Sequence, residues 1–305
     1  DGQQQKVGEL KLEKPIEVLF EGADEDIYKP IDNVTLDLVD DIKEDFAFLL
    51  VGQWTKGGFG EDRKDIAKTI KIFYESFANK KKQPALILKT NGATYSIMDR
   101  EECLRKIRQV KSMFPSDWNL PNIYLLHGSL STTDMNKLYN HPKVKSMVSF
   151  THGEGFGRPL LEATMVGLPV IASSWSGHVD FLSDINSMLL GGKLVNVPDS
   201  QHWENIIISE SQWFDVNETQ AYKALNYCFE KIDEVQLRAK KLMKVNRDKF
   251  TLNKMAEKLD EIIEKINIPD SPTQVGLNLP KLKKVNKSEP PKIKLPKLKK
   301  MTSGE

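Results

Sequence analysis

The chain has 305 residues, 39% hydrophobic and 29% charged, ordinary proportions for a soluble globular protein. Lysine and arginine (44) balance aspartate and glutamate (43), so the net charge of +1 gives the whole chain no pull toward a polyanion. No apolar run approaches membrane-spanning length and no secretory signal is present. Cys103 and Cys228 lie far apart, match no metal spacing and point to a reducing, cytoplasmic setting.

In chain order, residues 1–15 are polar and are expected to be poorly ordered, and Pro15–Phe20 reads as a short strand. Phe46–Val51 is the first core strand and runs into the glycine-rich loop Gly52–Gly60, which is not a dinucleotide fingerprint. Arg63-Lys64 then opens a helix with Ile66, Ile70, Phe73 and Phe77 at helical spacing. Pro84–Lys89 is the second strand. Lys89 ends it on the edge where ligands bind in open α/β sheets, a candidate partner for a phosphate or a sugar hydroxyl. Glu101–Phe114 reads as an amphipathic helix and Asn122–Leu126 as the third strand. Ser131 or Thr132 caps the next helix, with Asp134 in its first turn and Met135, Leu138 and Tyr139 facing inward.

The stretch from Lys145 to Ser173, entered through the apolar run Val144, Met147, Val148 and Phe150, reads as strand, loop, helix, strand. The loop Thr151–Gly157 holds three glycines that let the backbone turn and approach a ligand. Pro159 suits a first helical turn, and Gly167 ends the helix. Glu154 lies on the loop and Glu162 about one turn into the helix, so both are expected to face one pocket at the helix N-terminus. That end favours phosphate. Carboxylates beside a phosphate are repelled by it and instead suit vicinal hydroxyls, which donate to them. Phosphate flanked by hydroxyls describes a nucleotide-sugar.

The string from Glu154 to Ala163, followed by Gly167–Ala172, resembles the E-x7-E signature of retaining glycosyltransferases of family 4 (group 1), which have the GT-B fold. The resemblance implies an α/β fold: a Rossmann-like parallel sheet with helices on both faces, the donor-binding C-terminal half of a GT-B enzyme. It also implies site roles. Gly157 to Leu161, with Arg63 and Lys64, would hold the donor diphosphate. Gln53 stands where the family commonly has an arginine. Glu154 and the backbone of Gly155, Phe156 and Gly157 would hold the sugar, Glu162 the ribose, and Gly128 and Leu130 the base. The turn Ser173–Asp180, with His178, would lie near the sugar; a structural role for His178, and for His152, is equally open.

The expected domains are a linker or remnant of an N-terminal half at 1–40, the nucleotide-sugar-binding domain at 41–215, C-terminal helices at 216–268 and a basic disordered tail at 269–305. Thr219–Arg247 and Leu252–Ile266 read as two helices. Trp203, Ile206–Ile208, Trp213 and Phe214 read as a segment packed on the sheet. In the tail, Leu279–Lys284 returns as Leu295–Lys300; it is either a solubilising segment or an attraction to nucleic acid or anionic surfaces. The first residue is Asp1, as in a processed, trimmed or partial chain.

The activity implied is glycosyl transfer with retention from a nucleotide-diphosphate sugar, a UDP-sugar first, to an acceptor hydroxyl. Arg63, Lys64 and Glu154 are the catalytic candidates, and no D-x-D motif near a strand end calls for a metal. The alternatives are a non-catalytic or split-enzyme subunit that needs a partner chain with an acceptor domain and, more weakly, a GT-B epimerase or phosphorylase. The acceptor is a glycan or a hydroxymethylated viral DNA base, the latter placing the protein in a host cytoplasm.

Overall fold

A computed structural model describes residues 14–55 and 58–265. Six strands form one parallel sheet: β1 (Ala47–Gln53), β2 (Ala85–Asn91), β3 (Ile123–Leu126), β4 (Val144–Ser149), β5 (Val170–Ser173) and β6 (Met188–Leu190). Their order is β3-β2-β1-β4-β5-β6, so the chain winds outward from β1 in both directions. The reversal lies between β1 and β4, and in such sheets the crevice at the carboxyl ends of those two strands receives the ligand.

The strands are apolar on both faces because both are covered. Along β1 the side chains alternate. Ala47 and Leu49 join a core with α4 (Thr132–Asn140), α5 (Arg158–Met165) and Leu242 of α7 (Ile232–Lys249). Phe48 and Leu50 join the opposite core, with α2 (Ile66–Phe77), Val110 of α3 (Ile97–Lys111) and α6 (Glu218–Glu230). Phe48, Phe73 and Phe77 pack ring on ring there, with Phe229 against Phe77. The doubly wound α/β fold is thus as expected. A short α1 (Asp37–Asp40) precedes β1. Residues 14–264 fall within one compact unit.

Three expectations are corrected. Pro15–Phe20 forms no strand: Ile16 and Val18 are exposed, while Phe20 packs edge-on against Phe250 and an isolated bridge, Ala23 to Thr251, follows the segment. Among the described residues the C-terminal helices are three, because the helix expected over Thr219–Arg247 breaks at Lys231 into α6 and α7; α8 (Leu252–Lys265) follows. The aromatic-rich segment packs on the sheet only in part: Phe214 joins the core beside Phe48 and Ile171, and the rest does not. Residues 192–216 form an antiparallel hairpin, β7 (Gly192–Asn196) with β8 (Gln212–Val216), and Trp203, Ile206 and Ile208 are exposed on its connection. Short apolar runs do not reveal whether their partner strand is parallel or antiparallel. Among the described residues no helix is long and apolar enough to cross a membrane. The tail at 269–305 with its repeat, residues 1–13, Lys56, Gly57 and Ile266 lie outside the described residues.

Candidate functional site: the carboxyl edge between β1 and β4

Two loops meet at the reversal. The loop after β4 runs from Phe150 to Gly157, the N-cap of α5. Gly157 holds φ 96°, a left-handed backbone that L side chains avoid, and a Cβ there would come within 3.0 Å of His178. The loop before α2 carries Asp62, Arg63, Lys64 and Asp65, and its end is left-handed too, with Asp65 at φ 49°. The loops are stitched together at Arg63, whose carbonyl accepts from the His152 amide (2.9 Å) and the Thr151 hydroxyl (3.0 Å).

Across this junction Arg63, Lys64 and Glu154 come together. The Glu154 carboxylate accepts from Arg63 Nη1 at 3.1 Å and from Lys64 Nζ in a short contact. Arg63 also donates to the Gly153 carbonyl (2.7 Å). Burial alone would raise the Glu154 carboxyl, but the two cations outweigh it and hold it below the ordinary glutamate value. Burial pulls the Lys64 ammonium down even against Glu154. Ser176 clips the loop from the β5 side: its hydroxyl accepts from the Glu154 amide (2.7 Å) and donates to the Glu154 carbonyl (3.0 Å). Gly177 lies so close to this loop that a Cβ would meet the Gly155 carbonyl at 2.0 Å.

Glu154, Arg63 and Gly155 open onto a cavity of about 490 Å³, walled on its far side by Trp175 and Trp213. Glu162 is not among its lining residues. On α5 the Glu162 carboxylate turns to phenols: Tyr139 Oη donates at 3.0 Å, Tyr28 hydrogen-bonds to it as well, and Arg158 Nη2 stands 3.7 Å away. Burial raises the Glu162 carboxyl against these donors, and burial with the nearby carboxylate pushes the Tyr28 hydroxyl up to about 12. The single pocket shared by both glutamates is therefore not formed here. Eight positions of chain separate the pair, and the turn at Gly157 sends them to different neighbours.

The other candidates divide by side. Lys89 is half-buried and donates to the Gly128 carbonyl (2.6 Å), which brings these two candidates together. Leu130 packs on the core beside them. Gln53 donates instead to the Gly92 carbonyl (2.7 Å) and lines a separate hollow toward Asp99. The Phe156 and Leu161 side chains are buried in the apolar core, and the Leu161 amide is taken by the Gly157 carbonyl. At Gly155, by contrast, a Cβ would meet open space.

Behind the cation loop lies a cluster that the sequence reading passed over. Asp62 and Asp65 are fully buried; burial raises Asp62 to about 6 and Asp65 to about 8. Both Asp65 oxygens lack a hydrogen-bond partner among the described residues. His152 Nε2 stands 3.7 Å from Asp65, while His152 Nδ1 bonds the Phe214 carbonyl (2.7 Å). Asp65, His152 and Asp215 bring ligand atoms within 4.8 Å of one another, a spacing able to hold a cation. The Lys68 ammonium already reaches that spot, 2.5 Å from Asp215 and 4.0 Å from Asp65. His178 is buried with Nε2 on the Ser173 carbonyl (2.6 Å), a structural placement. Tyr28, Tyr139 and Trp213 were equally unassigned to the site, because side chains from distant segments converge here only through the crossovers; Trp175 lies on the turn expected near the sugar.

The family model for glycosyl transferases group 1 matches residues 63–209, from Arg63 to the β7–β8 connection. No curated protein matches the chain. Among solved structures, the chain is similar to the C-terminal domain of a glycosyl transferase group 1 family protein (LpcC) from Francisella tularensis, at 16% identity and TM-score 0.51, over 76% of this chain and 100% of that one. It is also similar to Anabaena HepE in complex with UDP and glucose, at 14% identity and TM-score 0.56, over 82% of this chain and 57% of that one. A third match is the sucrose-phosphate synthase of Thermosynechococcus elongatus, at 14% identity and TM-score 0.54, over 82% and 52%. The chain thus spans just over half the length of these last two. At such identities the likeness concerns the fold, and it is that of a GT-B glycosyltransferase half. The family match starts in the loop after β1 and takes in β4, α5 and their loop, so the segment 63–209 is similar to the glycosyl transferases group 1 family.

Proposed function

We propose that the chain binds a nucleotide-diphosphate sugar at the carboxyl edge between β1 and β4 and serves its transfer, with retention, to an acceptor hydroxyl. One observation carries this reading: Arg63 and Lys64 converge on the loop that caps α5, at the sheet position where phosphates bind. The cations hold the diphosphate and neutralise the charge that gathers on it as the glycosidic bond breaks, in a role that needs no metal. Glu154, now their counter-ion, yields them to phosphate oxygens and accepts sugar hydroxyls instead. Glu162 accepts ribose hydroxyls in place of the phenols of Tyr28 and Tyr139, and the base lies toward Lys89, Gly128 and Leu130. UDP is the first nucleotide to test, in keeping with the UDP-bound structural relative.

Chain length favours a second reading of the same site: just over half of HepE is spanned, so the acceptor groups would come from another domain or a partner chain. The acceptor, a glycan or a modified DNA base, would then be chosen there. Thermal shift of the full chain with UDP-, GDP- and ADP-glucose tests the donor. At a hundred times Kd a bound donor adds about 2.7 kcal/mol to native stability, an easily seen rise in Tm. No rise with any of the three defeats the proposal. Sugar transfer or donor hydrolysis by the isolated chain would select the enzyme over the subunit.

A further inference from the structure

The order of strands lays out a direction along the carboxyl edge. Lys89 lies near the carboxyl end of β2, and Gly128 and Leu130 follow β3, on one side of the cation pair. On the other side, after β4 and β5, stand His152 and Trp175, and the β7–β8 hairpin folds back against them: the Phe214 amide donates to the His152 carbonyl (3.0 Å). With a base on the first side and a diphosphate at Arg63 and Lys64, whatever follows the diphosphate points toward the hairpin.

What waits there is aromatic and firmly backed. The Trp213 indole stacks on the His152 ring, centroids 4.0 Å apart and planes 15° apart. The Trp175 indole lies parallel to the buried Phe214 ring, at 5.9 Å and 7°. Each indole has one face fixed by a protein ring, which leaves the opposite face for the cavity that both line. Trp175 keeps 42% of its surface exposed, large for so apolar a side chain. The same cavity holds the Glu154 carboxylate and the Ser176 edge of the loop. An apolar plate beside a hydroxyl-accepting carboxylate matches a pyranose, whose ring faces carry C–H groups and whose rim carries hydroxyls.

We propose that Trp213, set by the β7–β8 hairpin, and Trp175 form a stacking platform for a pyranose ring, so that the hairpin is a sugar-binding wall of this site. The inference rests on the nucleotide-sugar reading above. It goes beyond that reading in naming the occupant of the aromatic half of the cavity and the element that recognises it. Two sources supply the same chemistry, the sugar of the donor and a sugar of the acceptor.

Calorimetry on the full chain separates them, with UDP, UDP-glucose, and methyl α-glucoside added in the presence of UDP as probes. Trp213→Ala and Trp175→Ala are compared with Trp213→Phe and with Trp203→Ala, an exposed residue of the same hairpin. UDP affinity should stay within about twofold in all four, because the nucleotide lies on the other side. If the donor sugar stacks, the two platform alanine variants lose roughly 3- to 10-fold in UDP-glucose affinity, the worth of one aromatic contact, while Trp213→Phe and Trp203→Ala keep it. If an acceptor sugar stacks, UDP-glucose binding holds and the methyl glucoside signal disappears. Unchanged binding of both sugars in both alanine variants, with circular dichroism showing them folded, overturns the platform. Should Trp213→Ala fail to fold, the exposed Trp175→Ala decides alone. Wild-type protein that binds neither UDP nor UDP-glucose overturns the underlying reading instead.

Discussion

The two glutamates of the central motif receive opposite treatment. Glu154, on the loop before α5, is buried against two cations and held ionised. Glu162, on the helix itself, is buried against two phenols, and burial raises its carboxyl. Cations are what a phosphate seeks, and hydroxyl donors are what a ribose offers. The difference therefore teaches that the chain already balances each site with a chemical equivalent of the ligand part proposed for it: a carboxylate where phosphate would bind, and phenolic hydroxyls where ribose hydroxyls would.

Lys64→Ala breaks the comparison hardest. A charge-assisted hydrogen bond contributes about 1.5–3 kcal/mol, so affinity for UDP should drop by roughly 10- to 100-fold in calorimetry. The exposed Arg63, replaced by alanine, should cost only a few-fold, because solvent screens it. Equal, small losses from both would remove the diphosphate from this loop.

Glu162→Ala comes next. It should weaken UDP binding by about tenfold, the order of one lost charged hydrogen bond, and also lower Tm, since the Tyr139 hydroxyl is left buried without its acceptor. Unchanged UDP affinity would leave Glu162 a purely structural anchor for the two phenols. Tyr139→Phe sharpens the point: it removes the internal donor but not the carboxylate, and nucleotide affinity should hold or rise.

The smallest effect concerns the ground beneath the cation loop. The Asp65 carboxyl titrates near 8 when folded, against an ordinary value of 3.8. The native state therefore keeps a proton that the unfolded chain releases, and stability falls as pH rises through that window. Asp65→Asn should flatten the decline, raising Tm more at pH 8 than at pH 5. A pH-independent change would mean that Asp65 is ionised throughout and paired with Lys68.

Much of this molecule was legible before any fold was known. Phe46–Val51, Pro84–Lys89 and the strand–loop–helix from Val144 announced themselves because a parallel strand covered on both faces is apolar throughout. The structure shifts their ends by a residue or two. Arg63 and Lys64 were found through their position after the first strand, and Glu154 through its motif. The hairpin was not legible. Its Gly192–Asn196 strand is largely exposed, so it lacks the buried run that marks a core strand, and its partner Gln212–Val216 lies beyond a long connection.

The sequence by itself determined the doubly wound sheet, the turn at Gly157 and the residue types gathered at its reversal, because periodicity, glycine and proline act locally. Only the tertiary structure decided which partners those residues meet. Glu154 faces cations from ninety positions away, Glu162 faces phenols, and two tryptophans stand opposite. Side-chain partnership depends on how crossovers bring remote segments to one sheet edge, and no local pattern encodes that distance.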